Sequence, residues 1–250
     1  MRVFDMMANR VKNPLGFKLE PVRLSYKVDQ TDGKTAIAAQ IRISKCADMG
    51  EPLYDSGRLG DIDSLCFVPD IRLEPRTRYY WTASVWADNG DSTTSDVAWF
   101  ETGKMGEDWS AGWITSDVPG NMNFVRSMFV PKPVRSARAY VTGLGLYELY
   151  LDGRKVSDEY LTPWCNDYDH WLQVATCDLT QALGQGEHQI QVMMGDGWAI
   201  GRFGFRGQEK VYADQQALLM EIHICYEDGC EQVVATGADW QATESKVRFA

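Results

Sequence analysis

Residues 141–171 read VTGLGLYELYLDGRKVSDEYLTPWCNDYDHW. Within Leu146–Leu151 the side chains alternate, with Tyr147, Leu149 and Leu151 on one face and Leu146, Glu148 and Tyr150 on the other, which is strand periodicity. Asp152-Gly153 supplies the two central residues of a tight hairpin turn, and a more polar strand, Arg154–Ser157, follows. Next comes a loop dense in aromatic and amide groups: Tyr160, Pro163, Trp164, Asn166, Asp167, Tyr168 and Trp171. A strand pair feeding such a loop suits a β-sandwich that handles sugars, and equally one that binds nothing. The stretch therefore speaks for the fold and leaves function open.

Working outward, strand patterns dominate the chain. Residues 1–16 lack a period and hold Asn13-Pro14 and Gly16, so they read as an irregular lead-in. Strands are predicted at 35–44, 53–57, 79–87 and 97–102, with Asp88-Asn89-Gly90-Asp91 as a hairpin turn for which a type I′ geometry is expected. Leu73, Pro75, Thr77 and Tyr79 form an L-x-P-x-T-x-Y run that resembles the tyrosine corner of the fibronectin type III sandwich. The polar segment 103–108 reads as a domain boundary. Beyond it, strands are predicted at 123–129, 137–143, 146–151, 173–178, 188–194, 216–226 and 231–236, with one helical turn at 180–183 and a turn at Asp228-Gly229. The fold class is thus all-β: two tandem antiparallel β-sandwiches, fibronectin III-like over 17–104, then jelly-roll or galactose-binding-like over 109–250.

Composition narrows the partners. With 250 residues, 44% hydrophobic and 12% aromatic, the chain is long enough for two cores. A net charge of −10 disfavours nucleic acid and anionic membrane surfaces, which need a positive field, while neutral sugars remain compatible. Six cysteines at 46, 66, 165, 177, 225 and 230 include no C-x-x-C pair, and free thiols are expected. No stretch has signal-peptide or membrane-span character, so the sequence as given reads as cytoplasmic, or as periplasmic or secreted if a signal peptide was removed.

Motifs for self-contained chemistry are missing. His170, His188 and His223 have no metal spacing and read as structural, and no metal or cofactor is expected. There is no G-x-S-x-G elbow and no phosphate loop, and Gly143-Leu144-Gly145 follows a strand without a helix behind it. Two facing carboxylates would suffice for a glycosidase. Asp167, Asp169 and Asp196 are the acids nearest aromatic residues, but turn chemistry is the plainer reading of each. The run 195–207, GDGWAIGRFGFRG, combines glycines with Trp198, Arg202, Phe203, Phe205 and Arg206. Such groups suit contact with a sugar or another domain. Alternatively, the rings plug the end of the sandwich.

Taken in order, several stretches resemble the N-terminal part of bacterial α-L-rhamnosidases. They are 81–90, WFETG at 99–103, Trp109, Ala111 and Trp113-Ile114, then ARAYVTGLGLYELYLDG at 137–153, YLTP at 160–163, Tyr168, GDGW at 195–198, Gly201 and Trp240. Trp164-Cys165 departs from the Gly-Trp pair more usual there. The resemblance implies a fibronectin-like domain and a rhamnosidase N-terminal sandwich that precede an (α/α)6 catalytic barrel, so no catalytic residue carries over to this chain. The end of the chain, 239–250, reads as the strand before the link to that barrel, leaving open whether the sandwich's last strand is present. The implied function is that of a non-catalytic region of an enzyme releasing terminal α-L-rhamnose. Its partners would be the barrel, a rhamnose-containing carbohydrate and, in one arrangement, a second copy. The candidate substrate or interdomain contacts are Trp164, Asp167, Tyr168, Trp198, Arg202 and Phe203. The alternative is a free-standing carbohydrate-binding or adhesive module.

Overall fold

Eight strands form the first of two units into which the chain divides, Met1–Glu107 and Asp108–Ala250, in a computed structural model that describes residues 1–202, 204 and 206–245. They are β1 (Arg2–Ala8), β2 (Leu15–Phe17), β3 (Leu24–Asp29), β4 (Ala36–Ser44), β5 (Pro52–Asp55), β6 (Arg78–Ala87), β7 (Ser92–Thr94) and β8 (Ala98–Thr102). β1 and β3 pair as one sheet, facing a second of order β2-β8-β6-β4-β5 with β7 beside β6. Every pairing is antiparallel except the short β2–β8 contact. The interior is made by the alternating positions: Val3, Leu24 and Tyr26 from one layer meet Ile41, Ile43, Trp81, Val85 and Phe100 from the other.

Residues 1–16, expected to be irregular, instead contribute β1 and β2. The reason is a bulge. Asp5 has φ +52° and the register with β3 slips between Phe4 and Met7, so the buried residues fall at Val3, Met6 and Ala8 rather than at every second position. The tyrosine corner forms: the buried Tyr79 Oη accepts the Glu74 backbone N–H at 2.7 Å. The turn at 88–91 is not type I′, because only Gly90 has positive φ. Ala87 N–H donates to Asp91 O and Gly90 N–H to Ala87 O, a three-residue loop with glycine in the left-handed position. Asp228-Gly229 repeats that pattern around Tyr226 and Cys230. Asp152-Gly153, with φ +49° and +75°, is the true two-residue I′ turn.

The second unit holds β9 (Met122–Val130), β10 (Val134–Leu144), β11 (Leu146–Leu151), β12 (Arg154–Lys155), β13 (Ala175–Asp178), β14 (Gly186–Gly195), α1 (Gly197–Ile200), β15 (Ala217–Tyr226), β16 (Glu231–Ala235) and β17 (Gln241–Glu244). Two antiparallel sheets result, β13-β10-β15-β16 and β12-β11-β14-β9-β17. Ala139, Val141, Met220 and Ile222 line one inner face, and Phe124, Leu149, Ile190 and Val192 line the other. The chain passes from one sheet to the other at Gly143-Leu144-Gly145. Gly145 has φ +113°, and a Cβ there would stand 2.5 Å from Gly195 O. These glycines serve a corner of the sandwich.

A buried carboxylate fastens the start of this unit. Glu221 on β15 is fully buried and accepts hydrogen bonds from the Ser110 N–H, the Ser110 hydroxyl and the Ala111 N–H, with His223 Nε2 at 3.0 Å from its other oxygen. Gly112 and Thr236 exchange two further bonds, and Ile114 pairs with Leu218. At the opposite sheet, His188 bridges Asp152 Oδ2 at 2.6 Å and Gly184 O at 2.8 Å, tying the I′ turn to the start of β14. Burial alone would lower the His188 pKa, but the Asp152 carboxylate, the Gly184 carbonyl and the Glu187 charge outweigh it and raise the value above 6.5.

Two outcomes are expected. Tyr79→Phe leaves the Glu74 N–H without its acceptor and should cost about 1–2 kcal/mol of first-unit stability by urea unfolding; a loss within error would show that the corner bond is not a stabilising contact. For His188, the raised folded pKa means that its stabilisation is full below the unfolded value of 6.5 and fades as pH rises through the higher folded value. A His188→Gln protein should therefore melt lower than wild type at pH 6, by up to a few degrees, with the gap closing towards pH 8. A gap independent of pH contradicts the bridge.

Candidate functional site

The aromatic loop that follows β12 is fixed by the chain itself. Tyr147 N–H donates to Thr162 O, and Thr162 Oγ1 donates to Tyr147 O, both at 2.8 Å, so the loop is pinned to β11 before it turns. The turn is organised by Asn166, whose buried amide donates to Pro163 O and Trp164 O while its carbonyl accepts the Gln173 N–H at 2.8 Å. Trp164 takes φ +65°, an uncommon backbone region for a bulky residue, with its N–H bonded to Leu161 O. Trp164 stands where the Gly-Trp pattern has its glycine, and the turn closes without one.

The sequence-predicted contact residues fall into two segments of this end of the sandwich. Trp164 is half-buried and Asp167 is exposed, bonded through Oδ1 to His170 Nδ1 at 3.0 Å, which raises the His170 pKa. Tyr168 is half-buried and packs against Tyr212 at 5.1 Å between ring centroids. That contact joins the 160–171 loop to the 196–216 segment. Trp198, half-buried, sits in the single turn of α1, and Arg202 is exposed and paired with Glu209 at 2.7 Å. Phe203 and Phe205 lie outside the described residues. The expectation that the glycines of 195–201 admit a partner is corrected by their surroundings: a Cβ at Gly197 would lie 2.6 Å from Leu146 Cγ, and one at Gly201 would lie 2.6 Å from Gly197 O. The close approach is internal.

Asp196 does not cap α1 with its side chain; its Oδ1 accepts from Gln216 Nε2 at 2.8 Å. Gln216 is buried, donates also to Asn121 Oδ1 and accepts the Met122 N–H, so one amide joins three segments. Beside it opens a cleft of about 350 Å³ lined by Asp117, Val118, Met122, Asp196, Ile200, Lys210 and Asp214, among others. Sequence reading missed Gln216, Lys210 and Asp214, since no spacing marks them. Each histidine faces a carboxylate: Asp167, Asp152 or Glu221. Among the described residues no three His, Cys, Asp or Glu side chains are grouped to hold a metal ion, all six cysteines are unpaired, and no helix is long and apolar enough to cross a membrane.

Fold and loop geometry define a tandem β-sandwich protein whose second unit is of the jelly-roll type. Residues 3–106 match the family model of the Rha78A-like N-terminal immunoglobulin domain, and residues 132–250 match that of the alpha-L-rhamnosidase N-terminal domain. An alpha-L-rhamnosidase of Alteromonas sp. is 27% identical over 260 residues, covering 95% of this chain and 28% of the relative. One of Streptomyces avermitilis is 32% identical over 165 residues, covering 64% and 16%. A crystal structure of Streptomyces avermitilis alpha-L-rhamnosidase complexed with L-rhamnose superposes with TM-score 0.91 at 20% identity, over 100% of this chain and 42% of that one. The alpha-L-rhamnosidase of Dictyoglumus thermophilum gives 0.85 at 25%, over 97% and 30%. The chain carries the N-terminal domains of the α-L-rhamnosidase family. Its first sandwich matches an immunoglobulin-type model, a relative of the fibronectin type expected from the tyrosine corner. The chain spans between 16% and 30% of the length of the curated relatives it matches.

The tight contact at Gly197 has a measurable consequence. Gly197→Ala would force a methyl group into Leu146 at φ +53° and should lower second-unit stability by about 1–3 kcal/mol in urea unfolding. A change below about 0.5 kcal/mol would mean that the turn relaxes freely and is not set by this packing.

Proposed function

We propose that the chain serves an inverting α-L-rhamnosidase as its non-catalytic N-terminal region, packing on an (α/α)6 catalytic barrel and forming one wall of the cleft that takes a rhamnose-containing substrate. The observation that carries this reading is the ordered pair of family matches across 3–106 and 132–250, together with relatives that are several times longer. Local chemistry agrees with it. Each carboxylate that the sequence singled out near aromatic rings has a local role or lies exposed: Asp167 pairs with His170, Asp196 is held by Gln216, and Asp169 is exposed. Trp164, Asp167, Tyr168, Trp198 and Arg202 occupy the loop end of the second sandwich, and with Phe203 they are the proposed contacts. The Tyr168–Tyr212 ring contact brings their two segments together, which gives a partner one surface to meet.

The test is Trp198→Ala in the longer enzyme, read with an aryl α-L-rhamnoside. The expected result is a fall in kcat/KM of about tenfold, or a lowered melting temperature from a weakened domain contact. Unchanged kcat/KM together with unchanged melting would remove Trp198 from the contact set. Rhamnosidase turnover by the 250-residue chain alone would overturn the non-catalytic assignment.

A further inference from the structure

We propose that the cleft beside Asp196 is a binding site of its own for a neutral monosaccharide with an apolar edge, of the 6-deoxyhexose kind. The sugar class rests on the function proposed above, while the site rests on its own geometry. At about 350 Å³ the cleft suits one small ligand. Its rim offers acceptors from Asp117, Asp196 and Asp214 and a donor from Lys210, and its apolar lining comes from Val118, Met122 and Ile200. Sugar hydroxyls both donate and accept, so a mixed rim of carboxylates and an ammonium complements them, while a methyl group in place of the C6 hydroxyl can rest on the apolar side.

Other ligand classes fit less well. The acids do not converge on one point, since no three of them are grouped for a shared ion among the described residues. A polyol can span groups spaced around a ring, whereas a single cation cannot. An anion would meet three carboxylates against one ammonium.

The binding groups are also left available by the fold. Asp196 is oriented by the 2.8 Å bond from Gln216, itself held through Asn121 and Met122, and only its Oδ1 is engaged among the described residues. Asp117, Asp214 and Lys210 make no side-chain ion pair or hydrogen bond among the described residues. One oriented acceptor beside three uncommitted groups lets a ligand bond without first breaking internal contacts.

The experiment titrates L-rhamnose into the 250-residue chain, followed by calorimetry and by amide NMR shifts. It is repeated with L-mannose, which restores the C6 hydroxyl, and with Asp196→Asn and Asp214→Ala proteins. Asparagine keeps the acceptor that Gln216 needs, and Asp214 is exposed, so both variants should melt like wild type. Expected are saturable L-rhamnose binding with shifts around 196–216, a loss of about tenfold in affinity in each variant, and weaker binding of L-mannose. No saturable binding by the wild-type chain overturns the site, as does equal affinity in wild type and both variants. Equal binding of the two sugars overturns the apolar-edge assignment. The titration requires no turnover, so its failure is separable from failure of the Trp198→Ala test in the longer enzyme.

Discussion

Two buried amides, those of Gln216 and Asn166, decide what the second sandwich presents at its loop end. Each satisfies several polar groups that the loops would otherwise leave unpaired: Gln216 serves Asn121, Met122 and Asp196, and Asn166 serves Pro163, Trp164 and Gln173. A buried polar group without a partner costs about 1–3 kcal/mol, so loops wrapped around a satisfied amide have few alternative arrangements. This is how long irregular connections become a defined surface. The sheets supply the platform, and the amides supply the shape.

The sheet-to-sheet corner complements that arrangement. Gly145 carries the chain from β10 into β11 against Gly195, and one residue later Leu146 packs under Gly197. The corner and α1 are therefore parts of one packing problem, solved with backbone that has no room for a side chain. Asp196 lies between these two glycines, and its carboxylate inherits their fixed position. Glu221 plays a comparable role at the unit's beginning, where its full burial is balanced by the backbone and hydroxyl groups of Ser110, the Ala111 N–H and His223.

Most of the strands were legible because their alternation is regular: Tyr79, Trp81, Ala83 and Val85 on β6, or Tyr147, Leu149 and Leu151 on β11, are all buried as the pattern requires. The failures have local causes. β1 hid behind the bulge at Asp5, which breaks its alternation. The Asn89-Gly90 dipeptide suggested the wrong turn because hydrogen-bond spacing, which sequence does not reveal, selects the three-residue loop. At the loop end, rings and glycines were visible but their roles were not. The glycines face the chain's own Leu146 and backbone, while the organising Gln216 lies one residue before a strand and resembles any polar flank. Long-range pairing over 20 or 95 residues leaves no mark in local spacing.

The claim beneath this account is that the loop end is folded in advance by its buried amides. Hydrogen exchange at individual amides of the 250-residue chain tests it most directly. The N–H groups of Tyr147, Gln173 and Met122, bonded to Thr162 O, Asn166 Oδ1 and Gln216 Oε1, should exchange only as slowly as those of the central strands. Exchange of Gln173 and Met122 at the rate of an unstructured peptide would contradict it.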